Sequence, residues 1–147
     1  MQYDAVILAG GQSSGELKKI APYDNEALII IGKYPMIYYV YKALRNSEHI
    51  NRIVICGPVE SLKSIFVKDE NLYLAGGGEN AVDSLANGVE LLKGMGISER
   101  LLILPSDIPF ITTDAIDDFI NQAEAVGADF VYPLTSKEVN EAKYPGV

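Results

Sequence analysis

The feature that most constrains this chain is its regular alternation of short apolar runs with longer amphipathic segments. Tyr3–Ala9, Arg52–Cys56 and Leu101–Leu104 are nearly continuous apolar runs that contain β-branched residues. Such runs are typical of strands that are buried on both faces of a sheet. Between them, segments such as Pro35–Asn46 place apolar residues at helical spacing. Because strands that are separated by helices usually pair in parallel, the pattern predicts an α/β fold: a mainly parallel (mixed) sheet with helices on both faces.

Weaker signals extend this alternation along the whole chain. Further strands are predicted at Ala27–Ile31, Asn71–Leu74 and Asp129–Tyr132. Further helices are predicted at three places: Glu60–Phe66, a segment capped by Asn80 that continues to about Lys93, and a segment capped by Thr113 that Gly127 ends. The tail Ser136–Val147 is polar and aperiodic, so we expect it to belong to a loop. That ending is consistent with a fragment of a longer protein.

Composition narrows the class of protein. A chain of 147 residues fits a single domain, 1–147, and 48% hydrophobic residues suffice for a core. Cys56 is the only cysteine, no apolar run reaches the length of a membrane span, and the N-terminus lacks a secretory pattern. These features predict a cytoplasmic protein with no membrane partner. A net charge of −8 argues against a general nucleic-acid partner, but it leaves room for a small anion at a locally basic site.

The segment after the first predicted strand carries the strongest functional signal. Its sequence is Leu8-Ala9-Gly10-Gly11-Gln12-Ser13-Ser14-Gly15-Glu16-Leu17-Lys18-Lys19. Adjacent glycines let the backbone approach a ligand closely, and successive N–H groups can form an anion-binding nest. In open α/β sheets, ligands bind beyond the carboxyl ends of the strands. The segment therefore predicts an anion site, with Lys18 and Lys19 as nearby cations.

Three nucleotide-binding motifs compete for this loop. A P-loop needs Lys and Ser or Thr after its second glycine, whereas Gly15 is followed by Glu16. A dinucleotide-binding fingerprint needs glycines at another spacing and a helix that opens at once. The third pattern fits: together with Ala27–Ile37, the loop resembles the signature region of the MobA-like nucleotidyltransferase family. That signature consists of Leu-Ala-Gly-Gly, a basic loop, a Pro-Lys pair, a short strand, and Gly-Lys-Pro before a helix.

Two later segments add to the resemblance. Ala75–Asn80, with Asp83 and Ser84, resembles the family segment that contacts base and ribose, although helix capping alone also explains Asn80. Leu104–Phe110 resembles the Asp-x-Pro element whose aspartate binds Mg²⁺, although Asp107 could instead be a turn residue.

The resemblance implies a Rossmann-like fold of the nucleotide-diphospho-sugar transferase type, lacking the C-terminal part of the family fold. It also implies Mg²⁺-dependent transfer of a nucleoside monophosphate from a nucleoside triphosphate to a small phosphorylated acceptor, with release of pyrophosphate. A homodimer is a further expectation. The implied nucleotide-binding residues are Leu8, Ala9, Gly10, Gly11, Gln12, Ser13, Gly78, Asp83 and Ser84. Lys18 and Lys19 would be catalytic, and Asp107 would hold the metal.

The chain departs from the family pattern in its loop. Ser13 and Gly15 stand where the family has Gly and Arg, and Asn25-Glu26 stands where it has Pro-Lys. An acidic Glu26 would repel a triphosphate unless it points away or binds the metal. Two alternatives therefore stay open: a non-catalytic nucleotide-binding or regulatory domain of the same fold, and a nucleotide-sugar-dependent glycosyltransferase. The latter would carry Asp-x-Asp where this chain has Ser106-Asp107-Ile108.

Overall fold

The protein is an α/β structure built on a parallel sheet. The computed structural model describes residues 1–20, 23–66 and 69–146. Four strands form the central sheet in the order β5-β4-β1-β6, and every neighbouring pair is parallel. The strands are β1 (Tyr3–Leu8), β4 (Ile50–Gly57), β5 (Leu72–Gly76) and β6 (Arg100–Pro105), with a separate hairpin of β2 (Ile30–Ile31) and β3 (Tyr34–Pro35). The predicted fold class is confirmed.

Helices cover both faces of this sheet. The helices are α1 (Gly15–Ile20), α2 (Met36–Arg45), α3 (Val59–Lys63), α4 (Ala81–Lys93), α5 (Thr113–Val126) and α6 (Lys137–Lys143). On β1, Ile7 belongs to a core cluster that includes residues of α2 and α5, whereas Val6 belongs to a second cluster that includes Leu92 of α4. Because successive strand residues point to opposite faces, the apolar run of β1 supplies both cores.

Local capping explains where the longer helices begin and end. The Asn80 side chain accepts hydrogen bonds from the backbone N–H groups of Val82 and Asp83, which confirms it as the cap of α4. The cap of α5 is Thr112, one residue before the predicted Thr113, because its hydroxyl accepts from the N–H of Ala115. Gly127 ends α5 with a φ of 65°, as predicted.

The predicted strand Ala27–Ile31 is mostly wrong. Its first part lies in a 3-10 turn, Glu26–Leu28, whose cap Asn25 accepts from the N–H of Ala27. Only Ile30–Ile31 is extended, and it pairs with Tyr34–Pro35 in an antiparallel hairpin. A side-chain cap favours a local turn over pairing with a neighbouring strand. The first half of the segment is therefore a turn and not a strand.

Two predictions near the C-terminus are also wrong. Asp129–Tyr132 forms no strand, because no neighbouring strand pairs with it in the described part of the chain, and Phe130 is 79% exposed. A strand depends on its partners more than on its own propensity. Within the predicted loop, α6 forms after Ser136, whose hydroxyl caps it by accepting from the N–H of Val139. The helix predicted at Glu60–Phe66 is the shorter α3.

A buried ion pair connects the amino ends of β1 and β4. Asp4 is fully buried and accepts from Nε and Nη2 of Arg52 at 2.9 and 2.8 Å, and from the N–H of Ser98 at 2.8 Å. Arg52 also donates to the carbonyl of Met95 at 2.8 Å. The pair thereby fixes the segment between α4 and β6. This segment lies at the amino ends of the strands, opposite to the glycine-rich loops.

Across residues 1–20, 23–66 and 69–146, no helix combines the length and the apolar character that crossing a bilayer would require.

Candidate nucleotide site

Three glycines meet where neighbouring parallel strands end. A Cβ atom on Gly77 would lie 3.7 Å from Cα of Gly57 and 3.9 Å from Cα of Gly10. A Cβ on Gly57 would lie only 2.8 Å from the carbonyl oxygen of Ala9, closer than real contacts allow. A side chain at Gly57 would force the ends of β1 and β4 apart. The absence of side chains therefore brings bare backbone together at the carboxyl edge of the sheet.

Ser84 ties the second glycine-rich turn to the start of α4. Its Oγ accepts from the N–H of Gly78 at 2.9 Å, and the residue is only 3% exposed. A Cβ on Gly78 would lie 2.3 Å from Cβ of Asp83, so only glycine fits there. Asn87 also donates to the carbonyl of Gly76 at 2.9 Å. These contacts hold the turn in one position beside the first glycine-rich loop.

A cavity of about 380 Å³ opens between these segments. It is lined by Leu8, Gly10, Gly11, Glu26, Gly78, Glu79, Asn80, Ala81, Ser84, Pro105, Ser106 and Asp107. The lining joins the first loop, the second turn and the segment that follows β6. A concave site of this size, lined by three glycines and several polar side chains, suits a small-molecule ligand.

The structure brings six of the predicted site residues to this cavity and leaves others outside its lining. The six are Leu8, Gly10, Gly11, Gly78, Ser84 and Asp107. Ala9 is buried beneath the loop, Gln12 pairs with Asn25 in an isolated β-bridge, and the Asp83 carboxylate accepts from the side chain of Asn80. Ser13 is 7% exposed, and its hydroxyl has no hydrogen-bond partner among the described residues.

The two lysines proposed for catalysis lie on the exposed helix α1. Nζ of Lys18 is 3.1 Å from the carboxylate of Asp24, and Nζ of Lys19 is 2.7 Å from that of Glu16. Neither lysine lines the cavity. Both ion pairs are exposed to solvent, and exposed pairs exchange readily. The catalytic role of Lys18 and Lys19 stays a prediction.

The cavity lining includes residues that the sequence-based site did not contain. These are Glu26, Glu79, Asn80, Ala81, Pro105 and Ser106. Glu26 lines the cavity, and its Oε2 lies 3.4 Å from the position that a Cβ on Gly11 would occupy. The signal for Glu26 was present, since it stands where the family signature has lysine. Pro105 is the last residue of β6 and Ser106 follows it, so both could have been included in the predicted site together with Asp107.

Acidic groups dominate the charge of this cavity. Glu26, Glu79 and Asp107 line it, and no lysine or arginine of the described residues does. In the same described ranges, no three His, Cys, Asp or Glu side chains converge as a metal-binding group. Mg²⁺ commonly uses one or two carboxylates together with substrate phosphates. Asp107 therefore fits a site that becomes complete only when a phosphorylated ligand is bound.

Cys56 is not available as a nucleophile. It is fully buried at the end of β4, and burial raises the pKa of its thiol to about 11, although a hydrogen bond with the backbone of Gly88 acts in the opposite direction. A Cβ on Gly88 would lie 2.7 Å from its Sγ. The thiol therefore packs α4 against the sheet.

Comparisons with known proteins agree with this fold. The sequence profile of the MobA-like NTP transferase domain matches residues 5–144, and the chain belongs to that family. A 2-C-methyl-D-erythritol 4-phosphate cytidylyltransferase from Prosthecochloris aestuarii is 28% identical over 138 residues, which covers 84% of this chain and 55% of that protein. The chain spans about half the length of curated relatives such as this one.

Solved structures show the same fold. A hypothetical transferase from Thermus thermophilus superposes with a TM-score of 0.74 at 24% identity, covering 100% of this chain and 57% of that one. A CMP:2-keto-3-deoxy-manno-octonic acid synthetase, solved with CTP, superposes with a TM-score of 0.64 at 17% identity, covering 87% of this chain and 49% of that one.

Proposed function

We propose that this domain binds a nucleoside triphosphate in the glycine-lined cavity and transfers its nucleoside monophosphate to a small phosphorylated acceptor, with Mg²⁺ as cofactor. The observation that carries the proposal is the convergence of two glycine-rich backbone segments and Asp107 on one cavity. In the reaction, an acceptor phosphate oxygen forms a bond to the α-phosphorus. The bond between the α-phosphorus and the bridging oxygen breaks, and pyrophosphate leaves with that oxygen.

Each segment of the cavity has a distinct part in this scheme. The backbone of Gly10 and Gly11 approaches the phosphates, since neither residue has a side chain to hold a ligand away. The turn at Gly78, fixed by Ser84, faces the base and ribose. Asp107 would supply a carboxylate to hold Mg²⁺, and the bound ion would offset phosphate charge. Positioning and charge neutralisation of this kind account for most of the catalysis that such transfers need.

A cytidine nucleotide is the first ligand to test. The curated relative from P. aestuarii bears the name of a cytidylyltransferase, and the 2-keto-3-deoxy-manno-octonic acid synthetase structure holds CTP. These names support CTP as the donor for this chain. The phosphorylated acceptor is proposed only by its chemical class.

A second function, nucleotide binding without transfer, is favoured by one observation. The cavity has no lysine or arginine in its described lining, and Lys18 and Lys19 are paired with carboxylates on its outside. Such a domain would bind nucleotide with Mg²⁺ and release no pyrophosphate. An assay of pyrophosphate release from CTP, with candidate sugar phosphates and polyol phosphates as acceptors, separates the two functions.

Thermal unfolding in the presence of each of the four common nucleoside triphosphates tests the binding step. A triphosphate at a hundred times its Kd should add about 2.7 kcal/mol to the free energy of unfolding. We expect this gain for the wild type with Mg²⁺ and its loss in Asp107→Ala. Asp129→Ala is the matched control, because Asp129 is exposed and lies outside the cavity lining. Equal gains in the wild type and Asp107→Ala would contradict the metal assignment.

A further inference from the structure

Glu26 is held beside the first glycine-rich loop by three contacts of its segment. Its N–H donates to the carbonyl of Gly11 at 3.3 Å, and Nδ2 of the preceding Asn25 donates to the carbonyl of Ala9 at 2.6 Å. Asn25 also forms the β-bridge to Gln12. These contacts fix the position of the backbone that carries the Glu26 side chain. The 3-10 turn therefore holds the backbone of Glu26 in a fixed position beside the first glycine-rich loop.

The carboxylate of Glu26 lies beside Gly11, next to the position where any other residue would carry its Cβ atom. Its Oε2 and Cδ lie 3.4 and 3.9 Å from the position that a Cβ on Gly11 would take. Glu26 and Gly11 line the same cavity, together with Gly10 and Asp107. A ligand that approaches the backbone of this loop therefore meets a negative group.

The charge of Glu26 is not compensated within the described residues. No ion pair or side-chain hydrogen bond joins its carboxylate to a cation there. Lys18 and Lys19 are paired with Asp24 and Glu16, and Nζ of Lys33 lies 5.7 Å from the ring centre of Tyr34. Like charges in a cavity of reduced dielectric repel each other more strongly than in water. A free polyphosphate would experience this repulsion without a bound cation to offset it.

We propose that Glu26 is a specificity-determining residue, which makes this cavity reject metal-free nucleoside triphosphate and accept only its complex with a divalent cation. The inference rests on the proposed function. A bound cation removes part of the phosphate charge and offers a partner for carboxylate oxygens, so Glu26 opposes the free nucleotide more than the complex. A neutral side chain at position 26 reduces this discrimination.

Isothermal titration of CTP in excess Mg²⁺ and in EDTA measures the effect directly. In the wild type we expect CTP to bind with Mg²⁺ and its affinity to fall by at least about a hundredfold in EDTA. Glu26→Gln should strengthen binding in EDTA at least about tenfold and should not strengthen binding with Mg²⁺. Glu26→Asp should keep the discrimination, because it retains the charge.

Glu90→Gln is the matched control. Glu90 is exposed on α4, pairs with Lys93 and lies outside the cavity lining, so this variant changes the net charge by the same amount without changing the site. It should behave as the wild type does. Unfolding temperatures without ligand verify that each variant is folded.

Two results separate the inference from the proposed function. If the wild type binds CTP with Mg²⁺ but Glu26→Gln shows the same ratio of affinities with and without the metal, the role of Glu26 is wrong and the nucleotide site stands. If neither CTP nor the other three triphosphates bind the wild type under either condition, the proposed function fails, and the inference fails with it.

Discussion

At the scale of single residues, two glycines near the cavity serve different purposes. A Cβ on Gly57 would lie 2.8 Å from the backbone oxygen of Ala9, and backbone cannot move aside cheaply. A Cβ on Gly10 would lie 3.5 Å from Oγ of Ser84, which is an ordinary contact. Gly10 also lacks the left-handed backbone that disfavours other residues. Gly57 is therefore needed for folding, whereas Gly10 is needed to leave space in the cavity.

Gly57→Ala should lower the free energy of unfolding by about 1–3 kcal/mol, as overpacking of a filled interior does. Chemical denaturation with urea measures the change. Gly15→Ala is the control, because a Cβ on Gly15 would have no atom within 4 Å. A Gly57→Ala variant as stable as Gly15→Ala would show that the strand ends are packed less closely than described.

Gly10→Ala should leave the free energy of unfolding within about 1 kcal/mol of the wild type, since the methyl group meets only ordinary contacts. It should weaken binding of CTP with Mg²⁺ by at least about tenfold, because the methyl group fills space that a phosphate needs. Titration calorimetry gives the affinity, with Gly15→Ala as control again. Unchanged affinity in Gly10→Ala would place the ligand elsewhere.

Residues whose role depends on local backbone could be predicted from the sequence. Gly10, Gly11 and Asp107 follow within three residues of strand ends, and the carboxyl ends of parallel strands share one edge, so their placement at that edge was expected and the cavity there contains them. The orientation of Glu26 could not be predicted. It depends on hydrogen bonds from its own turn to Gly11 and Ala9, which are distant in sequence.

At the scale of elements, the buried pair of Asp4 and Arg52 connects β1, β4 and the segment before β6. Burial alone raises the pKa of the Asp4 carboxyl, but hydrogen bonds from Arg52 and Ser98 outweigh burial, so the pKa lies below its ordinary value of 3.8. A carboxyl with a lowered pKa in the folded state stabilises the fold above its unfolded-state pKa. That stability is lost as the pH falls through the folded-state pKa.

The free energy of unfolding of the wild type should therefore fall as the pH is lowered below 3.8. Asp4→Asn should be less stable than the wild type at neutral pH by about 3 kcal/mol, because Arg52 loses its buried partner charge. Its stability should also decrease less on acidification. Urea denaturation across the acid range measures both effects, with the exposed Asp129→Asn as control. Parallel pH profiles for the wild type and Asp4→Asn would contradict this account.

Strands with long apolar runs could be predicted from the sequence. Segments whose structure depends on whether a partner is available could not. β1, β4 and β6 carry long apolar runs, and each forms within a residue or two of its prediction. Asp129–Tyr132 is also mostly apolar, but it pairs with no neighbouring strand among the described residues and is therefore irregular. α6 was missed because it has only seven residues, none of them buried, and therefore no apolar face that would mark it as a helix.

At the scale of the whole molecule, strand order places the site. From β1 the chain proceeds outwards to β4 and β5, and then returns to the other side of β1 as β6. The order therefore changes direction at β1, and in open α/β sheets ligands bind at such a switch point. Alternation of strands and helices predicts the layers but not this order. The meeting of the loop after β1 with the segment after β6 consequently required the structure.

Amide chemical shifts during a titration with CTP and Mg²⁺ test the central claim, that both glycine-rich segments and Asp107 form one nucleotide site. In a ¹H–¹⁵N spectrum, the account predicts saturable shifts that begin together at Gly10, Gly11, Gly78, Ser84 and Asp107, whereas amides around Asp4 and Arg52 at the opposite edge of the sheet stay unchanged. Shifts confined to one segment, or centred outside the cavity lining, would contradict it.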